Sequence, residues 1–254
     1  MRLVVKVGTS SLTHGTGKVN IKRVEELCKV LSDIKNAGHE VIFVSSGAIA
    51  MGVSKLGLPG RPSDEATKQA AAAVGQVELM YAYDRCFAEY NHTVAQILIT
   101  AEDIKFEARR QYFTNTISRL LELDVVPVIN ENDTVSTKEL TVGDNDTLAA
   151  IVAVNIGADL VILLSDIEGM YTGDPHKDPY AELLTEVRDI SSIEHMAGGT
   201  VTALGTGGMA SKITAAKMCN EAGIDMIIMN GAYPENLYDA VEGKRVGTRF
   251  IAGK

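Results

Sequence analysis

The segment Gly205-Thr206-Gly207-Gly208-Met209-Ala210-Ser211-Lys212 sets three glycines ahead of a helical pattern and a lysine four positions beyond the last of them. Glycines let the backbone come close to a ligand and present consecutive N–H groups, and a helix N-terminus adds partial positive charge. The lysine adds a full charge, and the combination suits a phosphate. The spacing is not that of a P-loop, G-x-x-x-x-G-K-[ST], because Ala210 and Ser211 separate the glycines from Lys212. Gly205-x-Gly207-x-x-Ala210 also imitates a dinucleotide fingerprint, with Asp225 about 20 residues on. That motif must follow a strand directly, whereas only a weak Val201–Leu204 run precedes this one, and Asp225 stands before its strand rather than at its end. Phosphate binding is the favoured reading, against a plain loop and helix cap.

Lys6 is a charge inside the apolar run Val4-Val5-Lys6-Val7. Burying an unpaired ammonium costs several kcal/mol, so Lys6 is expected to face a cleft and an anion, unless it lies on an edge strand and points into water. Lys6 and Lys212 could then meet around one phosphoryl group from opposite ends of the chain. Two clusters of short polar residues add oxygen and amide groups, Asn130-Glu131-Asn132-Asp133 and Gly143-Asp144-Asn145-Asp146. Such residues make turns and caps, and Asp144 in particular could cap a helix. At strand ends they could instead hold an α-amino group, orient lysines or ligate magnesium through oxygen.

No G-x-S-x-G elbow, no H-E-x-x-H and no histidine near these clusters is present. A carboxylate acceptor is ionised at neutral pH, since an unperturbed Glu has a pKa of about 4.3, and needs no general base. Phosphoryl transfer to it would require mainly alignment and charge neutralisation. Two lysines, a glycine-rich loop and an aspartate to place them would suffice.

The surrounding pattern alternates. Leu3–Val7, Val41–Val44, Val94–Ile99, Val125–Ile129, Leu160–Leu164 and Met226–Met229 read as short buried strands. Between them lie helical stretches, one capped by Asn20 and stopped by Gly38, others near Ala70–Tyr90, Arg110–Leu123, Asp146–Ile156 and Met209–Glu221. Near-continuous apolar strands alternating with helices predict an α/β fold, a mostly parallel central sheet with helices on both faces. Such sheets bind ligands beyond the carboxyl ends of their strands. Gly8-Thr9, Ser46-Gly47, Asn130–Asp133 and Ser165-Asp166 all stand at such ends. The Thr134–Gly143 and Tyr171–Arg188 stretches read as hairpins or loops rather than core.

With 254 residues, 46% of them hydrophobic, the chain can bury a sizeable core as one large or two small domains. A net charge of -9 without any basic run argues against nucleic acid or an anionic membrane as partner. No apolar run spans a bilayer and no signal peptide opens the chain, so a cytoplasmic protein is expected. Cys28, Cys86 and Cys219 are widely spaced with no C-x-x-C, which argues against a disulfide or zinc site. Cys28 and Cys219 fall on apolar faces of the expected helices, which predicts buried free thiols.

Seven blocks carry a further resemblance: VVKVGTSSLT at Val4–Thr13, VSSGAIAMG at Val44–Gly52, KQAAAAVGQ at Lys68–Gln76, PVINEND at Pro127–Asp133, VGDND at Val142–Asp146, LLSDIEGMYTGDP at Leu163–Pro175 and GTGGMASK at Gly205–Lys212. In these blocks, their order and their near-complete coverage, the chain resembles the glutamate 5-kinases (γ-glutamyl kinases) of the amino acid kinase family. The resemblance implies a single amino acid kinase domain over residues 1–254. It implies ATP-dependent phosphorylation of the L-glutamate side-chain carboxylate, with Mg2+, as the first step of proline synthesis. Lys6 and Lys212 match the phosphate-stabilising lysines and Asp146 the aspartate that organises them. Ser46, Asp133 and Asn145 match glutamate-binding positions. Ser165 and Asp166, with Thr206, Gly207, Gly208, Met209, Ala210, Ser211 and Lys212, match the ATP site. Gly8 and Gly47 are expected, from their placement at strand ends, to offer N–H groups near the transferring phosphate.

Many bacterial members carry a PUA-type domain after the kinase domain, so the resemblance is to a short form without it. A homo-oligomer, dimer or tetramer, and feedback inhibition by proline are expectations of the same kind. No dedicated protein metal ligands are expected. Two other readings stay open at this level. One is a sibling kinase acting on a carbamate, another carboxylate or a nucleotide; the other is a non-catalytic ligand sensor of the same fold.

Overall fold

The computed structural model describes residues 1–136, 144–173, 178, 180–197 and 208–253. The first half runs β1 (Arg2–Val7), α1 (Thr9–Leu12), α2 (Ile21–Asn36), β2 (Glu40–Ser45), α3 (Ala48–Lys55), α4 (Glu65–Ala88), β3 (Val94–Ile99), α5 (Ala101–Lys105), α6 (Glu107–Glu122) and β4 (Val126–Glu131). The second runs α7 (Asn145–Ile156), β5 (Leu160–Ser165), β6 (Met170–Tyr171), β7 (Leu183–Leu184), β8 (Glu186–Val187), a 3₁₀ helix (Ile190–Ala197), α8 (Met209–Glu221), β9 (Asp225–Asn230), α9 (Asn236–Val241) and β10 (Thr248–Phe250).

Eight strands form one sheet in the order β3-β4-β2-β1-β5-β9-β10-β8, parallel except where β10 runs against β9. Alternation along each strand builds two cores. Leu3, Val5 and Val7 face one side with Phe43, Ile162 and Leu164, under α2 and α4 residues such as Leu27, Leu31, Leu79 and Tyr83. Val4 faces the other side with Ile42, Val44, Val161 and Leu163, under Leu148, Val152, Ile213 and Ala216 of α7 and α8. Lys6 shares the parity of Val4, so its side chain rises on the α7–α8 side. That one fact of register decides what the lysine can meet.

Caps set the helix starts. Asn20 accepts the Arg23 N–H at 3.2 Å, and Asp64 accepts the Thr67 N–H at 2.8 Å. The Asp64 cap starts α4 five residues ahead of the stretch read from the apolar pattern. Asp144 caps α7 by accepting the N–H groups of Asp146 at 2.7 Å and Thr147 at 2.9 Å. The cap places Asn145 and Asp146 in the first turn of α7, where a carboxylate is favoured by the helix dipole.

The structure departs from the sequence pattern in the second half. β6 and β7 pair as a small antiparallel hairpin, as expected of a loop region, but β8 adds to the main sheet and buries Val187. Two- and three-residue strands such as β8 and β10 are too short to show a period. Residues 137–143 and 201–207, which carry part of one polar cluster and most of the glycine-rich segment, lie outside the described residues.

Candidate active site

The central strand β1 has β2 on one flank and β5 on the other, so the strand order turns around it. Crevices form at the carboxyl ends of such a turn. Register places the polar residues there: Lys6 lies opposite Val44 and Leu163, so Gly8, Ser46 and Ser165 leave adjacent strand ends. Ser46 N–H donates to Val7 O at 3.2 Å, and Gly47, at φ 101°, turns the chain into α3. A side chain at that φ would be strained.

Lys6, Asp146 and Lys212 converge. Lys6 Nζ lies 2.5 Å from Asp146 Oδ1, and Lys212 Nζ lies 3.0 Å from Asp146 Oδ2. Ser211 Oγ is 3.1 Å from the same Oδ2 and 2.8 Å from Gly208 O. All three charged side chains are buried, Asp146 wholly so. Burial opposes ionisation of Asp146, but the charges and hydrogen bonds of Lys6 and Lys212 outweigh it and hold the carboxyl below its ordinary range. Two ammonium groups against one carboxylate leave a surplus positive charge in a partly dry crevice. Such a surplus calls for an anionic ligand.

A second polar chain runs beside the first. Asn145 Nδ2 donates to Ser46 Oγ at 2.7 Å, to Ser45 O at 3.0 Å and to Asn130 Oδ1 at 3.1 Å. Asn130 Nδ2 donates to Gln76 Oε1 at 3.0 Å. Ser45 Oγ shares a 2.7 Å hydrogen bond with the Tyr83 hydroxyl, which ties the end of β2 to α4. Adjacent residues of α7 thus serve the two chains, Asn145 one and Asp146 the other. Asp133 stands beyond β4 and shares no hydrogen bond with Ser46 or Asn145 among the described residues. Burial and the nearby Glu131 push its carboxyl up to about 6, with Arg61 opposing.

On the other side of β1, Ser165 ends β5 and Gly231 N–H donates to its carbonyl at 2.8 Å. Ser165 Oγ is 3.2 Å from Asp166 Oδ1, and Asp166 is exposed. A side chain at Gly231 would meet Ser11 Oγ at 2.8 Å, so α1 and the end of β9 approach closely here. Gly208, Met209, Ala210, Ser211 and Lys212 open α8 toward this crevice, whereas Thr206 and Gly207 lie outside the described residues.

Three residues that shape the site escaped the sequence reading in any specific role: Gln76, Tyr83 and Asn130. Gln76 was detectable in principle, as an amide in the buried stripe Ala72, Gly75, Gln76, Leu79 and Tyr83 of α4. The sequence reading also held the three cysteines apart. In the fold, α2 packs on α4 and sets Cys28 and Cys86 close enough to shift each other's ionisation. Both are free thiols, as is the buried Cys219.

The sheet order, the crevice at its carboxyl ends and the buried lysines suit phosphoryl chemistry, and comparison with known proteins agrees. The amino acid kinase family is matched by residues 1–230, and the chain belongs to that family. Among solved structures, the isopentenyl phosphate kinase of T. acidophilum superposes with a TM-score of 0.71 at 20% identity, covering 98% of this chain and all of that one. At that identity the likeness shows the fold alone.

Within the family the chain belongs with the glutamate 5-kinases. The protein of that name from Clostridium tetani (strain Massachusetts / E88) is 53% identical over 253 residues, 99% of this chain and 95% of its own length. The one from Carboxydothermus hydrogenoformans (strain ATCC BAA-161 / DSM 6008 / Z-2901) is 52% identical over 255 residues, all of this chain and 68% of its own length.

Proposed function

We propose that the chain is a glutamate 5-kinase, transferring the γ-phosphoryl group of ATP to the side-chain carboxylate of L-glutamate. The observation that carries the chemistry is the buried Lys6–Asp146–Lys212 cluster with its surplus positive charge. One carboxylate oxygen of glutamate attacks the γ-phosphorus as the bond to the β-phosphate oxygen breaks, giving glutamyl 5-phosphate and ADP. No proton need move before attack, so the transfer requires no general base. Lys6 and Lys212 stabilise charge on the group in flight, and Asp146 positions both ammonium groups without touching it.

Ser46, Asn145 and Asp133 are assigned to glutamate. Gly8, Ser165, Asp166 and Gly208 to Lys212 are assigned to ATP, together with Thr206 and Gly207. Magnesium, when bound, would neutralise and orient the phosphate oxygens. Such an ion would be carried largely by phosphate oxygens and water. A single kinase domain, a dimer or tetramer, proline as inhibitor and a cytoplasmic setting belong to the same proposal and rest on the family resemblance. No helix among the described residues is long and apolar enough to cross a membrane.

The test is direct. The protein with ATP, magnesium and L-glutamate, trapped with hydroxylamine, should yield γ-glutamyl hydroxamate. Product with another acceptor and none with glutamate would defeat the substrate assignment.

A further inference from the structure

Gln76 is only 7% exposed, yet its Nε2 has no partner among the described residues. A buried, unpaired N–H opposes folding, and a methionine of similar volume would avoid it. That methionine would leave Asn130 Nδ2, from which Gln76 Oε1 now accepts at 3.0 Å, buried without a partner. The energetic reason for this glutamine therefore lies in its bond to Asn130.

The direction of each amide follows from its neighbours. Glu131 N–H donates to Asn130 Oδ1 at 2.9 Å, so the Asn130 oxygen must face that backbone group and its nitrogen must face Gln76. The same oxygen accepts from Asn145 Nδ2 at 3.1 Å. Asn145 Nδ2 also meets Ser45 O and Ser46 Oγ; Ser45 O and Asn130 Oδ1 can only accept, so turning this amide over would set oxygen against oxygen twice. With Nδ2 so committed, Asn145 Oδ1 takes part in no hydrogen bond among the described residues. A carbonyl oxygen left available beside Ser46 is an acceptor for an ammonium group.

Gln76 reaches this chain because α3 and α4 touch backbone to backbone. A Cβ on Gly75 would lie 1.7 Å from Ala48 O, and one on Gly52 would lie 1.8 Å from Ala71 O. Those glycines bring α4 against the start of α3, next to Ser46.

We propose that Gln76 is a positioning residue for recognition of the acceptor's α-ammonium group, acting through Asn130 and Asn145. Its oxygen occupies the second N–H of Asn130. Without it that N–H is buried with no partner, the Asn130 amide turns to find one, and Asn145 loses the contact that aims its oxygen at the ammonium. The inference rests on the glutamate reading above and adds to it a residue that touches no substrate atom.

The test compares L-glutamate with glutarate, which carries the reacting carboxylate and no ammonium. The parent, Gln76→Met and Gln76→Glu proteins are assayed with ATP on both acceptors. The ratio of kcat/KM for the two is taken within one preparation, so it does not depend on the fraction folded. Gln76→Met should lower the glutamate-to-glutarate ratio at least about tenfold, through KM for glutamate, with KM for ATP within about threefold. Gln76→Glu retains an acceptor oxygen and should hold the ratio within about threefold of the parent. Equal losses on both acceptors, a parallel rise in KM for ATP, or an equal collapse in Gln76→Glu would overturn the assignment. A parent protein that makes no product from glutamate defeats the substrate reading instead, and an active parent with unchanged ratios in the variants defeats the role of Gln76 alone.

Discussion

Asp146 holds Lys6 through Oδ1 at 2.5 Å and leaves its other oxygen to Lys212 and Ser211. One carboxylate thus spaces two ammonium groups that come from opposite ends of the chain. It can do so because it sits in the first turn of α7, capped by Asp144 and fully buried.

Lys212→Ala removes one of the two charges while Asp146 keeps its pairing with Lys6. The fold should survive, judged by circular dichroism and melting temperature, and turnover should fall at least about 100-fold, the order expected for one preorganised charge. Turnover within a few-fold of the parent would show that Lys212 does not stabilise the transferring group.

Asp146→Asn leaves two buried ammonium groups facing a neutral amide. Loss of one partner from a buried ionic cluster costs about 3–5 kcal/mol, and urea unfolding should show a loss of that order. Added ATP supplies anionic charge at the same place and should restore more stability to this variant than to the parent. An unchanged urea midpoint would mean that the cluster is solvated enough for the carboxylate to be dispensable.

The pH dependence of glutamate binding should report Asp133, whose carboxyl is pushed up to about 6. The sign follows from its charge. Above that value Asp133 is ionised and can attract an ammonium group; below it the carboxyl is neutral and the attraction is lost. KM for glutamate should therefore rise as pH falls through about 6, while KM for ATP stays level, and Asp133→Asn should flatten the glutamate profile. A profile that is the same in both proteins removes Asp133 from glutamate recognition.

The thiols differ in access and ionisation. Cys86 is partly exposed, and the neighbouring Cys28 thiol draws the Cys86 thiol below the ordinary value. Burial raises both of the others, Cys219 to about 12. Iodoacetamide at neutral pH should alkylate Cys86 first, with Cys28 and Cys219 labelled only after unfolding, as read by peptide mass mapping. Early labelling of Cys28 would contradict the packing of α2 on α4.

Much of the fold could be read from the chain because it rests on local rules. The run Leu160–Leu164 is apolar enough to be buried on both faces, and α8 begins and ends where the pattern does. Val94–Ile99 is the strand expected there but lies at the sheet edge with only Ile99 buried. α3, β8 and β10 were not legible, since each is too short for its period to stand out. β8 and β10 are held by pairing with each other from more than 60 positions apart, as Phe250 does with Val187.

The site divides the same way. Residue types and spacing alone marked Lys6 as a charge in a buried strand, Lys212 as part of a phosphate-suited segment, and the polar clusters as strand-end groups. Tertiary structure decided which of them touch. The parity of β1 turns Lys6 toward α7 and α8, the cap at Asp144 sets Asp146 between the two lysines, and the glycine contacts of α3 with α4 bring Gln76 to Asn130. The pairs that result, Lys6 with Asp146, Asp146 with Lys212 and Gln76 with Asn130, stand 140, 66 and 54 residues apart in the chain. No periodicity along the chain encodes such a pairing; only the packing of one element on another creates it.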